Sequence, residues 1–211
     1  MSGVDEYRGA YPFLRERADV WREIARYVRR DSPGAEVVVE LGPGYCDFIN
    51  AFPAKRRIAY ELNPEMRAYA DAAVDLRIED ASHLKDLPPG SVDLVFASNF
   101  LEHFDQSDVD HLLAAVRDVL SARGRLILLQ PNHRRCADHY FDDPTHKTVF
   151  DDQNIGPWLE RCGLRLRRII PGLLPFSMKS RLPKWPSLVR LYLNSPLRPM
   201  AAQMYVVAEP V

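Results

Sequence analysis

The stretch VVVELGPGYCDFINAF, Val37 to Phe52, constrains the fold of this chain more than any other. Its β-branched run reads as a strand buried on both faces. Glycines at 42 and 44 follow, and then the start of a helix. Strand, glycine turn and helix open a βαβ unit. The remaining chain keeps the same rhythm. Phe13 to Arg30 repeats apolar residues at helical spacing, and DSPG (Asp31 to Gly34) ends that helix. RRIAYEL, VDLRIED, VDLVFASN and GRLILLQPN read as successive strands. Asn63 and Pro64 start a helix to Ala73, and Asp105 or Ser107 caps another to about Ser121. DDQNIGPWLERCG is a helix stopped by Gly163, and LRLRRII and QMYVVAE are the last strands. This alternation predicts an α/β fold with a Rossmann-like, mostly parallel seven-stranded sheet, helices on both faces and an antiparallel last strand.

Within the 211 residues we expect one domain. Residues 1–35 form a helical lid, 36–170 a cofactor-binding core, 171–199 a basic, proline-rich insertion on the substrate side, and 200–211 the last strand. Cys46, Cys136 and Cys162 are odd in number and lack CxxC spacing, which argues against disulfides and structural zinc. No apolar run is long enough to span a membrane, and the first residues lack a signal-peptide profile, so a cytoplasmic protein is expected.

The glycine turn admits several ligands, and its neighbours discriminate among them. A triphosphate needs GxxxxGK[ST], which is absent. A dinucleotide needs a third glycine at position 47, where the chain has Asp47. A carboxylate at a helix start would repel a docked pyrophosphate. Glu61 ends the second strand, where an acid can bind ribose hydroxyls. Asp80 ends the third, where a carboxylate can accept from an adenine amino group. Together they read as a site for adenosine without phosphates.

VELGPGYC resembles the first motif of class I S-adenosylmethionine-dependent methyltransferases. YELNP, IEDASHL, VDLVFASNFLEHF and RGRLILLQPN resemble the following motifs, in order, and the likeness covers about Val37 to Asn132. The third motif glycine falls on Cys46 here. The resemblance implies S-adenosylmethionine as cofactor and S-adenosylhomocysteine as product. It also implies that Glu40 organises the loop and faces the methionine ammonium, and that Gly42 and Gly44 let the backbone approach the cofactor. Glu61 would hold the ribose, Leu62 pack on adenine, Asp80 and Ala81 bind the adenine edge, and Asn99 lie beside the methionine portion. YFDDPTHKTVFD and the segment from Phe176 to Met200 are similar to a small-molecule, type 11-like branch.

Transfer to a hydroxyl needs a base that removes its proton. Candidates are His103, His133, His139 and His146. His103 follows the fourth strand and His133 the fifth, both at the ligand-binding edge of such sheets. His146, oriented by Asp143, is the preferred base, with His133 a further catalytic candidate. The loop from Gln130 to Asp151 is long enough to be functional. Asp142, Asp143, His139 and His146 could also hold a divalent ion, but the spacing is not diagnostic and no metal is assigned.

Residues 161–198 hold nine Lys or Arg and no acid, against 19 basic and 29 acidic residues elsewhere. Lys179, Arg181, Lys184 and Arg190, interleaved with Phe176, Trp185 and Tyr192, could grip an anionic substrate. Tyr7 and Tyr11 are candidates to touch cofactor or substrate. The expected reaction is methyl transfer to oxygen, nitrogen or carbon of a small molecule such as a sugar, nucleotide sugar or secondary metabolite. RNA methylation and a non-catalytic scaffold are the alternatives. The slightly acidic balance weighs against nucleic acid, and a homodimer is open.

Overall fold

Val39 and Leu41 enter one side of the hydrophobic core and Val38 the other, the alternation of a strand buried on both faces. The computed structural model describes Leu14, residues 16–175 and residues 184–211. The strands are β1 (Val37–Leu41), β2 (Arg56–Glu61), β3 (Val74–Ile78), β4 (Val92–Ser98), β5 (Leu120–Pro131), β6 (Leu164–Pro175) and β7 (Ala201–Pro210). They form one sheet in the order β3-β2-β1-β4-β5-β7-β6. β1 to β5 pair in parallel, and β7 lies antiparallel between β5 and β6.

The helices are α1 (Glu16–Val28), α2 (Asp47–Ala51), α3 (Gln106–Val119), α4 (His133–Tyr140), α5 (Ile155–Arg161) and α6 (Pro186–Asn194). Val20 and Ile24 of α1, Phe48 and Ile49 of α2 and Leu193 of α6 cover the face that holds Val38 and Phe96. Phe48 stacks on Phe96 at a ring distance of 3.7 Å. Fully burying one such ring contributes roughly 1.5–3 kcal/mol. Val109, Leu113 and Val116 of α3, with Ile155 and Leu159 of α5, cover the opposite face.

From β1 the chain runs outward to β2 and β3, then crosses back to β4 on the other flank of β1. Connections leaving the carboxyl ends of β1 and β4 therefore diverge and leave a crevice, the place where open α/β sheets bind ligands. The glycine turn after β1 and the Asn99 turn after β4 face each other there.

Three segments differ from their sequence reading. The helix expected from Pro64 to Ala73 is a 3₁₀ turn, Pro64–Tyr69, with the Asn63 side chain accepting from Glu65 N. The long loop from Gln130 is shorter, because β5 runs through Pro131 and α4 follows at once. Asn132 caps α4, its side chain accepting from Arg134 N at 3.2 Å. The basic run is largely paired with acids of the body. Arg161 binds Asp110, Arg165 and Arg167 bind Glu209, Arg168 binds Asp31 and Arg190 binds Glu23. Lys179, Arg181, Phe176, Tyr7 and Tyr11 lie outside the described residues, as does most of the lid expected before Glu16. No helix among the described residues is long and apolar enough to cross a membrane.

Candidate active site

The crevice is organised by a buried carboxylate, Glu40, and a half-buried one, Glu61. Glu40, only 3% exposed, lies under α2 and its Oε2 accepts from Ile49 N at 3.0 Å. Burial holds its carboxyl well above the usual range, and the Ile49 bond only partly opposes this. It thus satisfies an orphan donor at the start of α2. Glu61, at the end of β2, accepts from Gly44 N at 3.1 Å and from Asn63 N at 2.9 Å. One carboxylate therefore ties the glycine turn to the loop after β2. Each oxygen keeps a lone pair for a further donor.

The turn needs left-handed backbone at Gly42 (φ 62°), Gly44 (φ 52°) and Cys46 (φ 58°). Glycine adopts this freely, whereas a residue with a Cβ is disfavoured by about 1–2 kcal/mol. Cys46, at the third motif position, is fully buried and keeps the glycine-like conformation. Asp47 does sit at the start of α2, but Arg17 of α1 binds it at 2.8 Å, so the first helix is pinned over the turn.

Gly42, Glu61, Leu62, Asp80, Ala81 and Phe100 line a recess of about 80 Å³, with Tyr60, Glu79 and Phe104. Leu62 is 69% exposed there, an apolar side chain without a partner surface. The Asp80 carboxylate accepts from Ser82 N at 2.8 Å, and its bonds to Ser82 hold it below the usual carboxylate range. The lining has three acids and no base, which disfavours a phosphate and favours a ligand that is neutral or cationic. Adenosine and a sulfonium meet both demands, so the residues fit S-adenosylmethionine. The recess is smaller than the roughly 300 Å³ of a ligand pocket. Phe100 lines it and lies close over the turn: a Cβ on Gly42 would be 2.5 Å from its ring. A wider hollow of about 420 Å³ near Arg29, Pro53 and Lys55 adjoins the amino ends of β1 and β2, the wrong edge for such a site.

Asn99 follows β4 in left-handed conformation (φ 48°), and its Oδ1 accepts from Gln203 Nε2 at 2.7 Å. A 3₁₀ turn, Leu101–His103, continues from there. The segment 145–148 is clamped against it. Lys147 N and Thr148 N both donate to the Glu102 carbonyl, at 2.7 and 3.1 Å, and Thr148 Oγ1 donates to the Phe104 carbonyl at 2.7 Å.

This clamp brings His103 and His146 together, with ring centroids 5.1 Å apart. It changes which acid serves which imidazole. Asp143 does not orient His146. Thr145 Oγ1 donates to Asp143 Oδ1 and lies 2.8 Å from His103 Nδ1. A hydroxyl that donates to a carboxylate accepts from the ring, so Nδ1 of His103 carries the hydrogen and Nε2 the lone pair. Burial, and then His146, hold His103 below its ordinary pKa, so the ring is neutral near pH 7. His146 is 4% exposed, and its Nδ1 donates to the Tyr140 carbonyl. His133 packs edge-on against Tyr140 at 5.2 Å. His139 pairs with Asp142, both exposed, so the four residues His139, Asp142, Asp143 and His146 do not converge on one point.

Glu102, Thr145 and Phe100 escaped the sequence reading. Glu102 is wholly buried, its Oε2 accepts from Gln130 Nε2 at 2.6 Å, and burial raises its pKa to about 8. The one signal in sequence was an acid set among apolar neighbours in FLEHF.

Residues 39–128 match a family model described as a methyltransferase domain. That segment runs from the middle of β1 into β5 and carries the whole recess. No curated protein sequence matches the chain. Among solved structures, a S-adenosylmethionine-dependent methyltransferase from Archaeoglobus fulgidus is 19% identical, with a TM-score of 0.69 over 98% of this chain and 99% of that one. One from Mesorhizobium loti is 17% identical, with a TM-score of 0.62 over 88% and 95%. A Thermotoga maritima S-adenosylmethionine-dependent methyltransferase is 16% identical, with a TM-score of 0.67 over 98% and 94%.

Proposed function

We propose that the chain is a class I S-adenosylmethionine-dependent methyltransferase, that its acceptor is a hydroxyl oxygen of a small molecule and that His103 takes the proton. The observation that carries this is the Asp143–Thr145–His103 relay beside the cofactor recess. When bound, the cofactor supplies a methyl group on sulfur, whose carbon–sulfur bond breaks as the carbon–oxygen bond forms, releasing S-adenosylhomocysteine.

The chain's own residues supply position and proton transfer. Glu61 would hold the ribose, Leu62 would cover the adenine face, and Asp80 and Ala81 would meet its amino edge. Gly42 and Gly44 leave the turn without side chains, so the methionine portion can lie close to the backbone between them and Asn99. Glu40 fixes α2 beneath that turn. Asp143 acts through Thr145: it fixes the hydroxyl proton, and the hydroxyl fixes the His103 tautomer. The lone pair on Nε2 is then the group that receives the acceptor's proton, and Asp143 stabilises the imidazolium that results. His146 stands behind His103 and limits its rotation. A small substrate agrees with the ion pairing of Arg161, Arg165, Arg168 and Arg190 among the described residues, which spends on acids of the body the charge a polyanion would use.

The test is S-adenosylhomocysteine release from the full chain across a panel of phenols, sugars and phosphorylated sugars. The expected result is turnover of a hydroxyl compound that falls about 100-fold or more in His103→Gln, the lower range for losing a general base. Turnover confined to amines, or an unchanged rate in His103→Gln, would overturn the reading.

A further inference from the structure

We propose that Glu102, His103 and His146 form a binding site for one first-row divalent cation of the zinc class. The inference rests on the hydroxyl acceptor read above, and while the ion is bound it takes over from His103 the task of activating that hydroxyl. One ligand atom from each of the three residues lies within 4.8 Å of the other two. Glu102 Oε1 has no hydrogen-bond partner although its side chain is fully buried. It faces His146 Nε2 at 3.8 Å, too far for a hydrogen bond and close enough for a shared ion. A buried polar atom left alone is costly, and a cation between the two would satisfy both.

The outer contacts support this role. Gln130 Nε2 holds the other oxygen of Glu102. The Tyr140 carbonyl takes the Nδ1 hydrogen of His146, and Thr145 takes that of His103. The Nε2 of His146 is left for a ligand role, the pattern found around metal-binding histidines, and the His103 ring is also held by the Asn99 backbone. Two imidazoles and one carboxylate suit zinc, with a fourth position open. They do not suit calcium or magnesium, which take oxygen ligands. The His103–Thr145 contact is exposed whereas Glu102 and His146 are buried, so an acceptor hydroxyl would reach the ion from the His103 side. A hydroxyl coordinated there loses its proton to solvent more readily. In the ion-free protein His103 accepts that proton instead.

The test titrates Co²⁺, whose visible absorption reports imidazole and carboxylate ligation, into the full chain after treatment with EDTA. We expect one Co²⁺ per chain, lost in Glu102→Gln and in His146→Gln, and weakened about 10-fold or more in Thr145→Val. Calorimetric binding of S-adenosylhomocysteine should persist in all three variants, which shows that they fold. No Co²⁺ binding by the wild type, or binding unchanged in Glu102→Gln, overturns the site. Co²⁺ binding without methylation of any hydroxyl compound would uphold the site and overturn the hydroxyl reading. Full activity of the EDTA-treated protein, without Co²⁺ binding and lost in His103→Gln, would do the reverse.

Discussion

The Asp143 carboxylate reaches the His103 imidazole through the hydroxyl of Thr145, which lies 2.8 Å from His103 Nδ1. The nearest histidine in sequence, His146, faces Glu102 instead. The hydroxyl is therefore the weak point of the relay. Thr145→Val should lower kcat about 10-fold or more with little change in KM for the cofactor, while Thr145→Ser retains most of the rate. The pH profile separates this from a packing defect, because the valine variant should also shift the acidic limb of kcat.

Glu61 bridges Gly44 and Asn63 through one carboxylate, with each oxygen on a different loop. Glu61→Ala removes the carboxylate proposed to hold the ribose and leaves two backbone donors unpaired. Binding of S-adenosylhomocysteine should weaken at least about 10-fold, since hydrogen bonds to a charged group contribute about 1.5–3 kcal/mol. Calorimetric titration measures the loss directly. The ligand should also stop raising the melting temperature of the variant, because a native-state ligand must stabilise the fold it binds.

Gly42 and Phe100 occupy each other's space, and a Cβ at position 42 would meet the Phe100 ring at 2.5 Å. Gly42→Ala should destabilise by about 1–2 kcal/mol from the left-handed backbone alone, before the clash is counted. Phe100→Ala removes the clash but not the backbone strain. The double variant should therefore recover only part of the loss, with a coupling of about 0.5 kcal/mol or more in denaturant titrations. Phe100→Ala alone should speed cofactor binding, because the ring narrows the recess; stopped-flow fluorescence would show this.

Glu40 has a carboxyl pKa raised by burial, and Asp47 and Glu61 push it the same way while Arg17 and the Ile49 amide oppose them. In the fold it holds its proton at pH values where the unfolded chain has released it. Stability from this group is complete below its unfolded pKa, near 4.5, and is lost as pH rises toward the raised folded value. Glu40→Gln cannot titrate. Its stability relative to wild type should improve steadily from about pH 5 upward, as read from urea midpoints. A difference that is flat with pH would sink this account.

The strands and the cofactor turn were legible because their signals are local. VVVEL announces a buried strand, GPG a tight turn, and the acid at position 61 falls on the carboxyl end of β2, where it must lie near that turn. Asn63 was readable as a cap from its type and the proline after it. Two things were not legible. Phe100 reads as an ordinary apolar residue after a strand, and only the left-handed turn at Asn99 and the bare Gly42 backbone set its ring across the recess. The basic run read as free charge, yet each partner acid comes from a remote segment, such as Asp31 for Arg168 and Glu23 for Arg190.

By itself, the sequence determined the order of the strands, the mostly parallel sheet and the acids that end β2 and β3, because periodicity and turn chemistry act over a few residues. The pairing of acids with histidines was decided by the tertiary structure alone. Backbone donors at Lys147 and Thr148 reach the carbonyl of Glu102, more than 40 residues away along the chain, and that clamp sets the register of the whole 140–148 segment against the end of β4. A register fixed by such distant bonds leaves no trace in local spacing. It is this register that hands Asp143 to His103 and turns His146 toward the buried Glu102.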